Sequence, residues 1–187
     1  MKLLTLLGTT SYQETTYVWN GREYRTDLFP EALVTWLSPE ETLIFLTNEA
    51  KQHKNWANLK TKVEQRTQLT PIDIPSGKNE DELWKIFDTL TGCLAPSDEV
   101  MFDVSHAFRS LPILALLAAA YLRTVHTSNL SRIVYGAFEA KDASNRSPVF
   151  DLTPFIVLLD WATATDHFLK TGDATGLAAR GESGSAG

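Results

Sequence analysis

Short apolar runs alternate with longer amphipathic stretches along most of this chain. Residues 2–7, 42–46, 69–74, 98–102 and 130–138 carry the apolar runs, and each predicts a strand. Helical spacing fills the gaps between them. A helix is expected to run to Leu37, capped by Thr26 or Asp27, with Pro30 in its first turn. A charged helix over residues 50–66 places Trp56, Leu59 and Val63 on one face. A third begins at Asn79 or Asp81 and carries Leu83, Trp84, Ile86, Phe87 and Leu90 on its apolar face before stopping near Gly92. The fourth, over residues 110–126, is apolar nearly all round and must be covered on more than one side. Such alternation predicts an α/β fold with a mostly parallel sheet and helices on both faces.

Two additions decorate that core. Asn20-Gly21 separates two short β-prone runs, residues 16–19 and 22–25, and is a strong hairpin signal. Residues 149–152 are expected to pair back on the last strand. Thr153 then caps a C-terminal helix with Pro154 at its first position, running to about residue 169. The expected organisation is a domain over residues 1–152, linker helices over 153–180 and a flexible tail over 181–187.

Polar tips follow the strands. In an open parallel sheet they gather on one edge, where ligands bind. Gly8, Thr9, Thr10, Ser11 and Tyr12 follow the first strand; Thr47 and Asn48 follow the second; Ser76 lies after the third. After the fourth come Asp103, Ser105, His106, Ala107, Phe108 and Arg109, leading into the apolar helix. A helix N-terminus there offers free N–H groups to an anion, and the hydroxyls and Arg109 add donors. Gly8 allows close backbone approach to a ligand. Neither G-x-G-x-x-G nor G-x-x-x-x-G-K-[ST] occurs, so the common dinucleotide and triphosphate loops are not used.

Composition narrows the field. With 187 residues and 43% apolar content, one moderate domain with an appendage is expected. A net charge of −6 gives no general attraction to nucleic acid, so any polyanion must be held by a local pocket. No DNA partner is expected. Cys93 stands alone, which fits a reducing compartment, and no apolar segment is long enough to span a bilayer. A soluble cytoplasmic protein is expected, with no membrane association. His53, His106, His126 and His167 show no metal-ligand spacing, so no metal and no cofactor is expected.

Two of these stretches carry a resemblance. Gly8-Thr9-Thr10-Ser11-Tyr12 after the first strand, with the run from Asp103 to Pro112 (DVSHAFRSLP) after the fourth, resembles the CRISPR-associated Rossmann-fold (CARF) family. The branch it is similar to carries a D-[ILV]-[ST]-H-[GA]-[FY]-R-S-L-P signature. The segment Asp151-Leu152-Thr153-Pro154-Phe155 also resembles the helix that leaves this sensor domain. The likeness covers most of residues 1–172. Ala107 stands where glycine is the commoner residue, which adds a methyl near the ligand.

The resemblance implies a Rossmann-like sensor of cyclic oligoadenylate, the second messenger of type III CRISPR antiviral defence. Family members are homodimers, with the ring lying across the two-fold axis on the loops after the first and fourth strands. Cyclic tetra-adenylate matches that symmetry and is the expected ligand. Some members are ring nucleases. In them a ribose 2′-hydroxyl attacks the adjacent phosphate without a metal, leaving a linear product with a 2′,3′-cyclic phosphate. Arg109, Ser11 and His106 are the candidate catalytic residues here. The structural alternatives are His106 as a cap on the next helix or a hydrogen bond across the dimer axis, and Arg109 as an ion pair to Asp103. In related proteins the sensor precedes an effector, often a ribonuclease with an R-x-x-x-x-H motif, and that spacing does not occur in this chain. The alternatives are a non-catalytic sensor domain of a larger effector and a nucleotide-responsive transcription regulator.

Overall fold

The computed structural model describes residues 1–95, 97–107, 111–125 and 129–175. The sheet is built from β1 (Lys2–Leu7), β4 (Glu41–Leu46), β5 (Gln68–Asp73), β6 (Glu99–Asp103) and β7 (Asn129–Gly136), all parallel. They lie in the order β5-β4-β1-β6-β7. β8 (Arg146–Asp151) returns antiparallel to β7, and the hairpin of β2 (Thr15–Trp19) and β3 (Arg22–Thr26) completes an eight-stranded sheet. β2 pairs in parallel with β8, so the hairpin sits on the sheet edge. Its turn has positive φ at both Asn20 (50°) and Gly21 (75°), as a type I′ turn requires.

Period-two burial explains how both faces are filled. Leu3 and Leu7 of β1, Ile44 and Leu46 of β4, Met101 of β6 and Val134 of β7 belong to one core cluster. Against them pack Phe29 and Leu33 of α1 (Phe29–Leu37) and Leu59 and Val63 of α3 (Lys54–Val63). The alternate positions, including Leu4, Leu6, Leu43, Phe45, Val100, Phe102 and Ile133, are equally buried and face the other way. On that side α4 (Glu80–Gly92) packs against α5 (Leu111–Val125), burying Ile86, Leu90, Ala115, Ala118, Ala119 and Leu122.

Three local expectations need correction. The helix expected over residues 50–66 is two helices, α2 (Asn48–Gln52) and α3, broken at His53, whose backbone is extended at φ −83°, ψ 150°. His53 Nδ1 accepts from Asn55 N at 3.3 Å, so the imidazole caps the second helix. The N-cap of α1 is Leu28, not Thr26 or Asp27, and its own side chain makes no cap bond. Leu152, not Thr153, is the N-cap of α6 (Thr153–Thr171), which makes Pro154 the second helical residue rather than the first.

The chain divides into two compact units, one ending at Asp151 and one beginning at Leu152. In the second, α6 stops at Gly172, whose left-handed backbone (φ 73°) lets its N–H bond Phe168 O at 2.7 Å. No helix among the described residues is long and apolar enough to cross a membrane. Expectations on Phe108, Arg109, Ser110, His126 and residues 176–187 lie outside the described residues.

Candidate functional site

The order β5-β4-β1-β6-β7 has one place where successive connections leave in opposite directions, between β1 and β6. Ligands of open α/β sheets bind at the carboxyl ends of strands at such a switch point. Thr5 and Asp103 are register partners there, both fully buried. The Thr5 hydroxyl donates to Asp103 Oδ2 at 2.7 Å, and Ser105 N donates to Oδ1 at 2.9 Å. Burial pushes the Asp103 carboxyl up to about 6, against the pull of these donors. Asp103 therefore organises the turn after β6, with none of its surface exposed.

His106 caps α1 from across the fold. Its Nε2 accepts the Phe29 N–H at 3.1 Å, 77 residues away in sequence. With Nε2 accepting, the proton sits on Nδ1. The residue is 7% exposed, and burial drives its pKa down to about 3, so the ring is neutral. Its Nε2 lone pair is committed to the backbone, which makes positioning its task in this geometry. Tyr12 stacks on the ring with centroids 3.9 Å apart. The Tyr12 hydroxyl accepts from Gly8 N at 3.1 Å and donates to His106 O at 3.5 Å. One phenol thus ties the loop after β1 to the loop after β6. Burial raises its pKa to about 12, so it remains a neutral donor. Since the Gly8 amide is already used by Tyr12, that donor is spent within the loop.

A residue that sequence reasoning missed holds the first loop from the other side. Asn55 is buried, and its Nδ2 donates to Gly8 O at 3.0 Å and Thr10 O at 2.9 Å. In sequence it is one polar residue in a charged helix, and only the break at His53 aims it inward. Ser105 performs a matching task, accepting from Gly136 N at 2.7 Å.

These loops close on a cavity of about 350 Å³. Thr10, Ser11 and Tyr12 line it from the first loop, and Ser105, His106 and Ala107 from the second. Gln13, Tyr17, Asp27, Gly136, Phe138 and Glu139 complete it. Neither lysine nor arginine is among the described residues that line it. Thr9 is exposed at the start of the first loop. Thr47, Asn48 and Ser76 share the sheet edge but not the cavity. Thr47 is the buried N-cap of α2, Asn48 Oδ1 accepts from Gln52, and the Ser76 hydroxyl donates to Glu49. No group of three or more His, Cys, Asp or Glu among the described residues could hold a metal ion.

A second hollow, about 430 Å³, lies over α4 and α5, lined by Leu83, Trp84, Phe87, Leu114 and Leu117 with Glu80. It is nearly all apolar and carries no chemistry, but it exposes Trp84 (64%), Ile113 (64%) and Leu117 (51%) along that face.

Comparison with known proteins gives concordant findings. The family model described as "CRISPR system endoribonuclease Csx1, CARF domain" matches residues 2–139. A CRISPR-associated protein, MJ1674 of Methanocaldococcus jannaschii, is 28% identical over 104 residues. That alignment takes in 54% of this chain and 16% of the relative. Among solved structures, Enterococcus italicus Csm6 bound to cyclic hexa-2′-fluoro-hexa-dAMP superposes with a TM-score of 0.53 at 12% identity. The match covers 88% of this chain and 45% of that one, so the chain spans less than half the length of these proteins.

Proposed function

The chain belongs to the family of the CARF domain of CRISPR endoribonuclease Csx1, and on that premise we propose that it senses cyclic oligoadenylate in type III CRISPR defence. One observation carries the reading. The two loops that bear the family-like motifs, after β1 and β6, meet on one cavity at the switch point of the sheet. The fold neighbour Csm6 carries a cyclic hexanucleotide analogue of adenylate, which supports a ring as the class of ligand.

In this reading two copies pair through the uncovered α4/α5 face, and the ring spans the two-fold axis. Thr9, Thr10 and Ser11 donate to ribose and phosphate oxygens. Backbone amides after Ser105 and the guanidinium of Arg109 meet the phosphates. Cyclic tetra-adenylate is the first choice because a four-membered ring repeats itself across a two-fold axis; the hexa-adenylate ring has the same property and is the competing ligand.

Ring opening is the second half of the proposal. A ribose O2′ attacks the neighbouring phosphorus in line, the P–O5′ bond breaks, and the O5′ leaves with a proton. A 2′,3′-cyclic phosphate remains. The protein supplies attack geometry and stabilises charge on the phosphoryl oxygens, with Arg109 and Ser11 as the groups nearest in role. His106 acts by fixing the loop. The rival is a sensor that binds and does not cut, its chemistry residing in a further domain of a longer protein. The endoribonuclease named in the family description favours it.

The deciding test holds the protein in excess over radiolabelled cyclic tetra-adenylate, with EDTA present. Retention on a native gel and conversion to linear product are followed for wild type and Arg109→Ala. Binding with conversion, lost in the variant, supports the ring nuclease. Binding without conversion selects the pure sensor.

A further inference from the structure

Besides Tyr17 and Gly136, four cavity residues lie outside the two stretches just described as ligand-binding. Gln13 leads into β2, Asp27 precedes α1, and Phe138 and Glu139 form the 3-10 turn Phe138–Ala140 after β7. Their chemistry is unsuited to phosphate. Asp27 is held by Lys62 at 3.0 Å, and Glu139 accepts the Tyr135 hydroxyl at 2.7 Å. Two carboxylates with no cation among the described lining residues repel a phosphodiester. The same set suits a nucleobase. A phenyl ring offers a stacking face, an amide offers a donor and an acceptor side by side, and carboxylates accept exocyclic N–H groups.

We infer that Phe138 and Gln13 form the base subsite of this cavity, Phe138 stacking on one adenine of the ring and Gln13 reading its amino edge. This deepens, and rests on, the cyclic oligoadenylate reading. Phe138 is held for that task. Lys141 Nζ lies 4.1 Å from its ring centroid, so a cation steadies the ring. A short 3-10 turn fixes the residue, closed by Ala140 N to Ala137 O at 3.1 Å. Gln13 is exposed at the cavity rim, and its amide matches the adenine N6 and N7 pattern in two hydrogen bonds. The carboxylates beside them leave the phosphates to the side of the cavity formed by the loop after β6. Base and backbone thus sort to different walls.

The test compares rings that differ only in the base edge. Equilibrium binding of the full chain is measured for cyclic tetra- and hexa-adenylate, and for rings of the same size built from purine riboside, which lacks the N6 amine. Wild type, Gln13→Ala, Phe138→Ala and Phe138→Leu are compared, with thermal melts to establish folding. Wild type is expected to prefer the adenine ring by roughly tenfold, the discrimination one good bidentate base contact gives. Gln13→Ala should bring the two rings within about twofold of each other, the residue of that preference once its contact is gone. Both Phe138 variants should weaken adenine-ring binding by at least about fivefold, the low end of what one stacking partner supplies. Phe138→Leu keeps apolar bulk at a half-buried site, so it separates stacking from folding. If wild type binds a ring while Gln13→Ala keeps its preference, or while both Phe138 variants bind as wild type does, the subsite is wrong and the sensor reading survives. If wild type binds no ring of either size, the sensor reading falls and takes the subsite with it.

Discussion

His106 shows how one side chain can be legible as a position and illegible as a task. The sequence places it at a strand tip beside hydroxyls, where proton transfer and structural roles both fit. Its Nε2 accepting the Phe29 N–H excludes a free imidazole in this geometry. The pH consequence has a definite sign. A histidine whose folded pKa lies near 3 against an ordinary 6.5 stabilises the fold fully above pH 6.5, and that stability is lost as pH falls toward 3. Asp103 acts oppositely. Its folded pKa near 6, raised from 3.8, gives stability below pH 3.8 that is lost as pH rises through 6. The two slopes oppose each other between about pH 4 and 6. His106→Gln should therefore cost most near pH 7, and its Tm deficit should shrink as pH is lowered through that window. A deficit independent of pH would contradict the buried neutral ring. Gly136 is a simpler case. A Cβ there would lie 2.8 Å from both Phe29 Cγ and Tyr17 Cε1, aromatic atoms of a packed core. Gly136→Ala should cost about 1–3 kcal/mol by overpacking, read as a lowered Tm; an unchanged Tm would show that the two rings can yield.

At the scale of elements, the strands and their order in sequence were legible because buried parallel strands are nearly continuous apolar runs. Residues 2–7 are β1 to the residue, and the other strands shift by a residue or two at their ends, except β8, which starts at Arg146, three residues before the expected Val149. Helix breaks and caps were not legible, because their partners are distant. Nothing local marks His53 as extended, and α1 takes its cap from His106 rather than from Thr26 or Asp27. Asn55 follows from the same break. It grips the loop after β1 through two carbonyls, each hydrogen bond contributing about 1 kcal/mol. Asn55→Leu should lower stability by about 2 kcal/mol in a denaturant melt and weaken ring binding through a loosened loop. Asn55→Asp should be worse, since a carboxylate facing two carbonyl oxygens repels both. Ring affinity unchanged in both variants would detach this loop from the site.

For the whole molecule, alternation of strand and helix was enough to predict the parallel sheet and to gather its tips on one edge. Which tips meet depends on strand order, and that was not legible. Thr47, Asn48 and Ser76 reach the edge over β4 and β5, away from the cavity between β1, β6 and β7. Gln13, Phe138 and Glu139 were missed because the hairpin and the 3-10 turn are additions to the alternating core. The apolar helix over residues 110–126 was expected to need a second cover, and Ile113 and Leu117 of α5 stand exposed beside Trp84. A homodimer through this face predicts that Leu117→Arg halves the mass measured by sedimentation and weakens ring binding at equal chain concentration. An unchanged mass would place any dimer elsewhere.

The central claim is that the cavity at the switch point holds a cyclic oligoadenylate. Native-gel retention of labelled cyclic tetra- and hexa-adenylate by the wild-type chain in EDTA tests it most directly. Saturable retention of at least one ring, at one ring per two chains, is the predicted result. No retention of either ring, with the chain folded by thermal melt, would contradict it.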